Sequence, residues 1–338
     1  MKKESNVLKF GIEFVPREPY WKIVYYTIQA EREGFGNLWV TDHFNNRNVY
    51  VTLTTAAVYT NKMTFGCGVT NPYMVNPVFT AQAIATLNEL APGRVVLGIG
   101  AGDKTTLESV GMEMQKPLIA VSEAVEIFRK ITNGENVIYK GEVFKTAGAK
   151  FLFKPKGKIP VYVGAQGPKM LELAGRIGDG VLINACHPKD VEYAVSCVKQ
   201  GVTAAGKKYE EVDVAAYTSF SVHEDIKKAN KAAVPVVAFI VAGSPPQLLE
   251  RHGIDVKKAE EIKEALKVND WGRAFGGVTP EMISAFSVCG TPEMCIERIA
   301  ELLKSGISQF VVGSPIGANV REAINLISRK IIPNFQKV

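Results

Sequence analysis

Arg94-Val95-Val96-Leu97-Gly98-Ile99-Gly100 carries one charge at its start and no polar side chain after it. A strand with one wet face alternates apolar and polar residues, and this segment does not. Such a run is expected of a strand covered on both faces, as in a parallel sheet. Working outward, similar runs recur at Leu8 to Phe14, Leu38 to His43, Met63 to Val69, Pro160 to Ala165, Gly180 to Ala185, Val212 to Val222 and Gln309 to Ser314. Helical signals separate them. Thr291-Pro292-Glu293 opens one helix, with threonine as cap, proline fitting the first turn and Gly306 following the end. Strand and helix in eight repeats predict a closed (β/α)8 TIM barrel, and the regularity and length favour it over an open doubly wound sheet.

The 338 residues are read as one barrel domain with two insertions. Tyr139 to Lys158, with Gly141, Gly148, Pro155 and Gly157, predicts a hairpin or irregular loop. Glu224 to Ser287 exceeds what a connection needs, and its Ala, Lys and Glu content predicts several helices, as a lid or an oligomer contact.

A hydrophobic share of 46% and a charged share of 22% exclude disordered and fibrous classes. The net charge of +6 favours an anionic small molecule, and the scattered basic residues do not form a nucleic-acid surface. The start at Met1-Lys2-Lys3-Glu4 lacks a signal-peptide pattern, and no stretch is apolar enough to span a bilayer, Val234 to Ala242 being too short. A cytoplasmic location is therefore expected. The five cysteines, Cys67, Cys186, Cys197, Cys289 and Cys295, form no CxxC pair and point to neither disulfides nor zinc.

Ligands of such barrels sit at the C-terminal strand ends. Glu13 interrupts the apolar Gly11-Ile12-Glu13-Phe14, where ionisation is costly and its pKa should rise, so it is the leading general acid; a packing ion pair with an interior Arg or Lys is the other reading. Thr41-Asp42-His43 admits metal ligation, proton transfer, heterocycle contacts or a structural pair. Metal is the weakest of these, because adjacent strand residues face opposite ways. Gly66-Cys67-Gly68-Val69-Thr70-Asn71 has glycines that allow a flat ligand to approach, or a bulge. Gly98-Ile99-Gly100-Ala101-Gly102-Asp103 fails the dinucleotide fingerprint because Asp103 stands where the third glycine belongs. Gly164-Ala165-Gln166-Gly167 before a helix suits a phosphate, and Asn184 with the Gly313-Ser314-Pro315 end adds small polar groups, although each is also ordinary turn chemistry.

The ordered set GIEF (11–14), TDHF (41–44), GVTNPY (68–73), GIGAGDK (98–104), GAQGPKM (164–170), AYTS (216–219), VVAFIVAGSPP (236–246), ERHG (250–253) and VVGSPIG (311–317) resembles the coenzyme F420-dependent methylenetetrahydromethanopterin reductases of methanogenic archaea, a branch of the bacterial-luciferase-like superfamily. The resemblance spans nearly the whole chain. It implies a luciferase-like barrel that binds coenzyme F420 non-covalently, without flavin or metal. It implies reduction of methylene-tetrahydromethanopterin to the methyl form in methanogenesis, and a homodimer or homotetramer. It places a proton-handling glutamate on Glu13, ring contacts on Asp42, Thr70, Asn71 and Asp103, and phosphate and side-chain contacts on Gly164, Ala165, Gln166, Gly167 and Asn184. It also implies a non-prolyl cis peptide at Gly68-Val69 beneath the ring. A longer N-terminal lead and Cys67 depart from the family pattern. The rival functions are a luciferase-like flavin monooxygenase, which would consume oxygen, and a non-catalytic carrier of a flavin-like coenzyme, against which Glu13 argues.

Overall fold

The computed structural model describes residues 8–336, so the N-terminal lead and the Met1-Lys2-Lys3-Glu4 reading lie outside the described residues. Its strands are β1 (Lys9–Phe14), β2 (Asn37–Val40), β3 (Thr64–Cys67), β4 (Val95–Ile99), β5 (Val137–Lys140), β6 (Lys145–Ala149), β7 (Val161–Ala165), β8 (Gly180–Ile183), β9 (Asp213–Val222), β10 (Val288–Gly290) and β11 (Gln309–Ile316). The helices are α1 (Tyr20–Arg32), α2 (Val49–Tyr59), α3 (Pro77–Leu90), α4 (Lys104–Ser109), α5 (Pro117–Thr132), α6 (Pro168–Ile177), α7 (Pro188–Ala204), α8 (Ile226–Gly243), α9 (Pro246–Arg251), α10 (Val256–Lys267), α11 (Trp271–Gly276), α12 (Pro280–Phe286), α13 (Pro292–Lys304) and α14 (Val320–Leu326).

Strands are hydrogen-bonded in the order β10-β9-β11-β1-β2-β3-β4-β7-β8, and β9 also pairs with β8. Eight strands thus form a closed ring, the hydrogen-bond topology of a (β/α)8 barrel, and β10 adds to β9 in parallel. All eight predicted runs are strands. Several predicted ends ran too far: the polar Thr41 to His43 directly continue an apolar run, and Gly68 to Val69 have strand composition, but both lie beyond β2 and β3. Three-residue β10 was missed because it is too short to carry a pattern.

The chain divides into two compact units, Gly11–Ile183 with Ala194–Ala215, and Asn184–Tyr193 with Ala216 onward and the segment ending at Phe10. In the first, β1 to β4, β7 and β8 run parallel. Glu13, Trp39 and Gly66 are in register on β1, β2 and β3 and therefore project on one face. Neighbouring strands leave Gly66 and Gly98 no room for a side chain, since a Cβ would lie 2.6 Å from Val96 or overlap the Cys67 carbonyl oxygen, and would stand 3.3 or 3.2 Å from the Trp39 ring. That ring meets Tyr162 edge-on at 5.1 Å, and the Tyr162 hydroxyl donates to Asp213 at 2.8 Å. The predicted insertion from Tyr139 starts inside the antiparallel β5-β6 hairpin, whose first strand begins two residues earlier at Val137. Buried Glu123 of α5 fixes it, accepting backbone N–H groups of Glu142, Val143 and Phe144 at 2.6, 3.1 and 2.8 Å.

In the second unit α8 to α12 occupy the long insertion and have a core of their own, built on Val237, Val241, Leu249, Ile262, Met282 and Phe286. α13 begins as its sequence predicts, with Pro292 in the first turn, but Thr291 caps it through backbone conformation without a side-chain cap hydrogen bond. Among the described residues no helix is long and apolar enough to cross a membrane. All five cysteines are free, four of them buried.

Candidate active site

β3 ends at Cys67, and the second peptide bond beyond it, Gly68-Val69, is cis, as the sequence resemblance implied. Backbone bonds on both sides hold the bulge: Gly68 N–H donates to Val40 at 2.8 Å, Thr70 N–H to Gly98 at 3.0 Å and Gly100 N–H to Thr70 at 2.9 Å. The bulge carries the Val69 side chain across the ends of β4 and β7. A Cβ on Gly100 or on Gly164 would come within 2.9 Å of a Val69 methyl group. Two glycines and one valine therefore make a surface at the strand ends from which longer side chains are excluded.

Beside it stands Asp42. Its Oδ2 accepts the Thr70 hydroxyl at 2.7 Å, and the Tyr50 hydroxyl of α2 lies 3.5 Å from the same Thr70 oxygen. Burial raises the Asp42 pKa, while the Thr70 hydrogen bond and the neighbouring His43 oppose the rise. Burial likewise pushes the Tyr50 phenol and the fully buried Cys67 thiol upward, with the Asp42 charge adding to both. His43 itself is exposed. Thr41 was passed over in the sequence. Its side-chain oxygen is buried and has no hydrogen-bond partner, and only a folded structure can reveal an orphan of this kind.

Asn71 is buried, and its Oδ1 accepts the N–H groups of Tyr73 and Met74 at 3.1 and 3.0 Å. It lies against Gly102, whose φ of +78° and 3.1 Å approach leave no room for a side chain. Asp103 is exposed and caps α4, its Oδ1 accepting both the N–H and the hydroxyl of Thr106 at 2.7 Å. Gly164 and Ala165 end β7, and exposed Gln166 and Gly167 lead into α6, where Gly167 is the N-cap and Pro168 stands in the first turn. The first N–H groups of α6 thus face outward without a side-chain cap, the arrangement that receives anions. Glu13 is 4% exposed on β1. Asn184 follows β8, is exposed, and belongs to the second compact unit.

In that second unit one ligand atom each of His187, Asp190 and His252 lies within 4.8 Å of the others. Asp190 accepts from Arg251 at 2.7 Å and meets His252 Nε2 at 2.6 Å, while His187 Nδ1 accepts the Lys189 N–H at 3.3 Å. Arg251 already balances the carboxylate, so a divalent cation would leave excess positive charge in a largely buried cluster. The group reads as an ion-paired tie between the start of α7 and α9.

A ring of parallel strands with a bulged third strand and polar residues gathered at its ends defines a luciferase-like barrel. The family model described as luciferase-like monooxygenase matches residues 10–309, and the chain belongs to that family. Within it the chain is a member of the 5,10-methylenetetrahydromethanopterin reductases: it is 53% identical to the enzyme of that name from Archaeoglobus fulgidus, over 97% of this chain and 100% of the relative. It is 51% identical to the one from Methanolobus tindarius, over 96% and 100%. The solved structure of the coenzyme F420 dependent tetrahydromethanopterin reductase from Methanopyrus kandleri matches with a TM-score of 0.93 at 44% identity, covering 97% of this chain and 99% of that one.

Proposed function

We propose that this chain reduces 5,10-methylenetetrahydromethanopterin to the 5-methyl form with coenzyme F420, as a step of methanogenesis from CO2. Full-length identity of 53% to a reductase of that name carries the reading. The residues present suit the coenzyme: the orphaned hydroxyl of Thr41 and the low surface that Val69 makes by packing over Gly100 and Gly164 fit a flat polar ring. Asp42, Thr70, Asn71 and Asp103 would hold the ring over Gly68 and Val69. Gly164, Ala165, Gln166 and Gly167 would receive the anionic tail at the start of α6. The bound coenzyme supplies the hydride.

What remains for the protein is alignment and one proton. The methylene bridge of the substrate opens to an electrophilic iminium only as a nitrogen departs, and Glu13 would deliver the proton to that nitrogen. Such a positioned acid contributes about a hundred- to ten-thousandfold. No step is assigned to a flavin or a metal. The proposal includes a cytoplasmic location and a homo-oligomer, either a dimer or a tetramer. Exposed Tyr20, Trp21 and Tyr25 on α1, Val51, Val58 and Tyr59 on α2, and Phe79 on α3 support the oligomer, because α1 to α3 pack side by side and a solvated apolar face of this kind marks an interface.

Anaerobic stopped-flow mixing of reduced coenzyme F420 with methylene-tetrahydromethanopterin tests the reading. Wild type should oxidise the coenzyme rapidly, and Glu13→Gln should bind it with similar affinity and lose turnover. Inactive wild type would sink the reductase reading. Oxygen consumption with bound flavin would replace it with a monooxygenase, and binding without turnover with a carrier.

A further inference from the structure

We propose that Tyr50, acting through Thr70, is a positioning residue that fixes Asp42 at the strand ends and keeps its carboxylate ionised for the bound coenzyme. This rests on the proposed placement of the coenzyme ring beside Asp42.

Proton counting gives the chain its direction. The Thr70 hydroxyl has one proton, and it goes to Asp42 Oδ2 at 2.7 Å. The contact between Tyr50 and Thr70 at 3.5 Å must therefore have the phenol as donor and the threonine oxygen as acceptor. The Thr80 hydroxyl of α3 lies near the Tyr50 phenol and, like that of Thr70, opposes the rise that burial imposes on it. Thr70 is 1% exposed and Thr80 3%, so water is poorly placed to substitute for either. No partner for Asp42 Oδ1 is found among the described residues, which leaves that oxygen available as an acceptor for a ligand. The groups facing Asp42 are His43 from its own strand end, the Cys67 thiol from β3, Thr70 from the bulge and Tyr50 from α2. Among the described residues only the Thr70 hydroxyl donates a hydrogen bond to the carboxylate, so it is the principal brake on the rise that burial imposes.

The segment after β2, the start of α2 and the bulge after β3 thus converge on one oxygen, that of the Thr70 hydroxyl, and the chemistry predicts an order of effects. Thr70→Val removes the donor and should raise the Asp42 pKa by about one unit. Tyr50→Phe leaves the donor but strips its acceptor lone pair of a partner, and should raise it by about a third of a unit through lost polarisation. Thr70→Ser keeps the hydroxyl and should restore the wild-type value.

The test is 13C carboxyl NMR titration of the coenzyme-free protein, with the Asp42 resonance assigned by Asp42→Asn, followed by fluorescence titration with coenzyme F420 at pH 5 and pH 7. Support requires the order Thr70→Val above Tyr50→Phe above wild type, and a loss of affinity at pH 5 that grows in the same order. An Asp42 pKa identical in wild type and Tyr50→Phe overturns the proposal, as does a Thr70→Ser value equal to that of Thr70→Val. Normal titration order with no coenzyme binding by wild type would leave the relay standing and sink the functional reading instead.

Discussion

Gly164→Ala is expected to destabilise the protein through one side chain, Val69. The added Cβ would stand 2.9 Å from Val69 Cγ1 and 3.2 Å from Cγ2, but 3.6 Å from Val69 Cβ. Ordinary contact begins near 3.4 Å, so only the two methyl groups are in the way. Valine cannot rotate both aside, and overpacking of this kind costs about 1 to 3 kcal/mol, here about 2. Val69→Ala alone removes two half-buried methyl groups and should cost about 1 kcal/mol. If the clash is as drawn, the double variant loses only about 1 kcal/mol, a coupling of about 2 in its favour, against about 3 lost if the sites are independent. Denaturant unfolding of the four proteins measures this. Additivity within about 0.5 kcal/mol would refute the placement of Val69 over Gly164. Gly100→Ala should be rescued only in part by Val69→Ala, because the Gly164 carbonyl oxygen remains 3.2 Å from the new Cβ.

Thr41→Val should leave the coenzyme-free protein equally or more stable, because it removes an unpaired buried hydroxyl. It should weaken coenzyme F420 about two- to tenfold in fluorescence titration, the value of one hydrogen bond, and unchanged affinity would exclude Thr41 from the site. Asp179 is pushed up by burial, but Lys158, the Val161 N–H and Arg129 outweigh that and hold its carboxyl below the usual range. A folded pKa below the unfolded one gives stability that is present above the unfolded value, about pH 4, and lost as pH falls through the folded value. Wild type should therefore exceed Asp179→Asn by about 1 kcal/mol at pH 7 after discounting for partial exposure, and the gap should close below about pH 4 in urea titrations. Val58→Asp with Tyr59→Glu on α2 should lower the mass seen by analytical ultracentrifugation, whereas an unchanged mass would move the interface elsewhere.

The eight strands were legible because burial on both faces leaves an uninterrupted apolar run, and Arg94 to Gly100 has little other reading. Their ends were not, since Gly68 and Val69 satisfy strand composition while the backbone leaves the ladder. Glu13 and Asp42 stood out as charges at the ends of apolar runs. Thr41 and Tyr50 did not: a threonine in a strand and a tyrosine in a helix are unremarked until tertiary contacts show one hydroxyl without a partner and another reaching Thr70 across twenty residues. The insertion helices were visible only as composition, because their apolar faces pack largely on one another, with α8 also meeting β10 and β11 and α12 meeting β10, and no single strand pattern traces them.

The grip of Glu123 on three successive amides divides the 137–158 excursion into parts with different tolerance to change of length. An extra residue between Gly141 and Phe144 would shift those donors out of reach and abandon a buried carboxylate. Beyond β6, around Leu152, the side chain is fully exposed and such an anchor is lacking among the described residues. A fluorophore loop or affinity tag spliced there would leave the helix-to-hairpin clamp intact, which makes Leu152 the place to attach reporters for the binding titrations above.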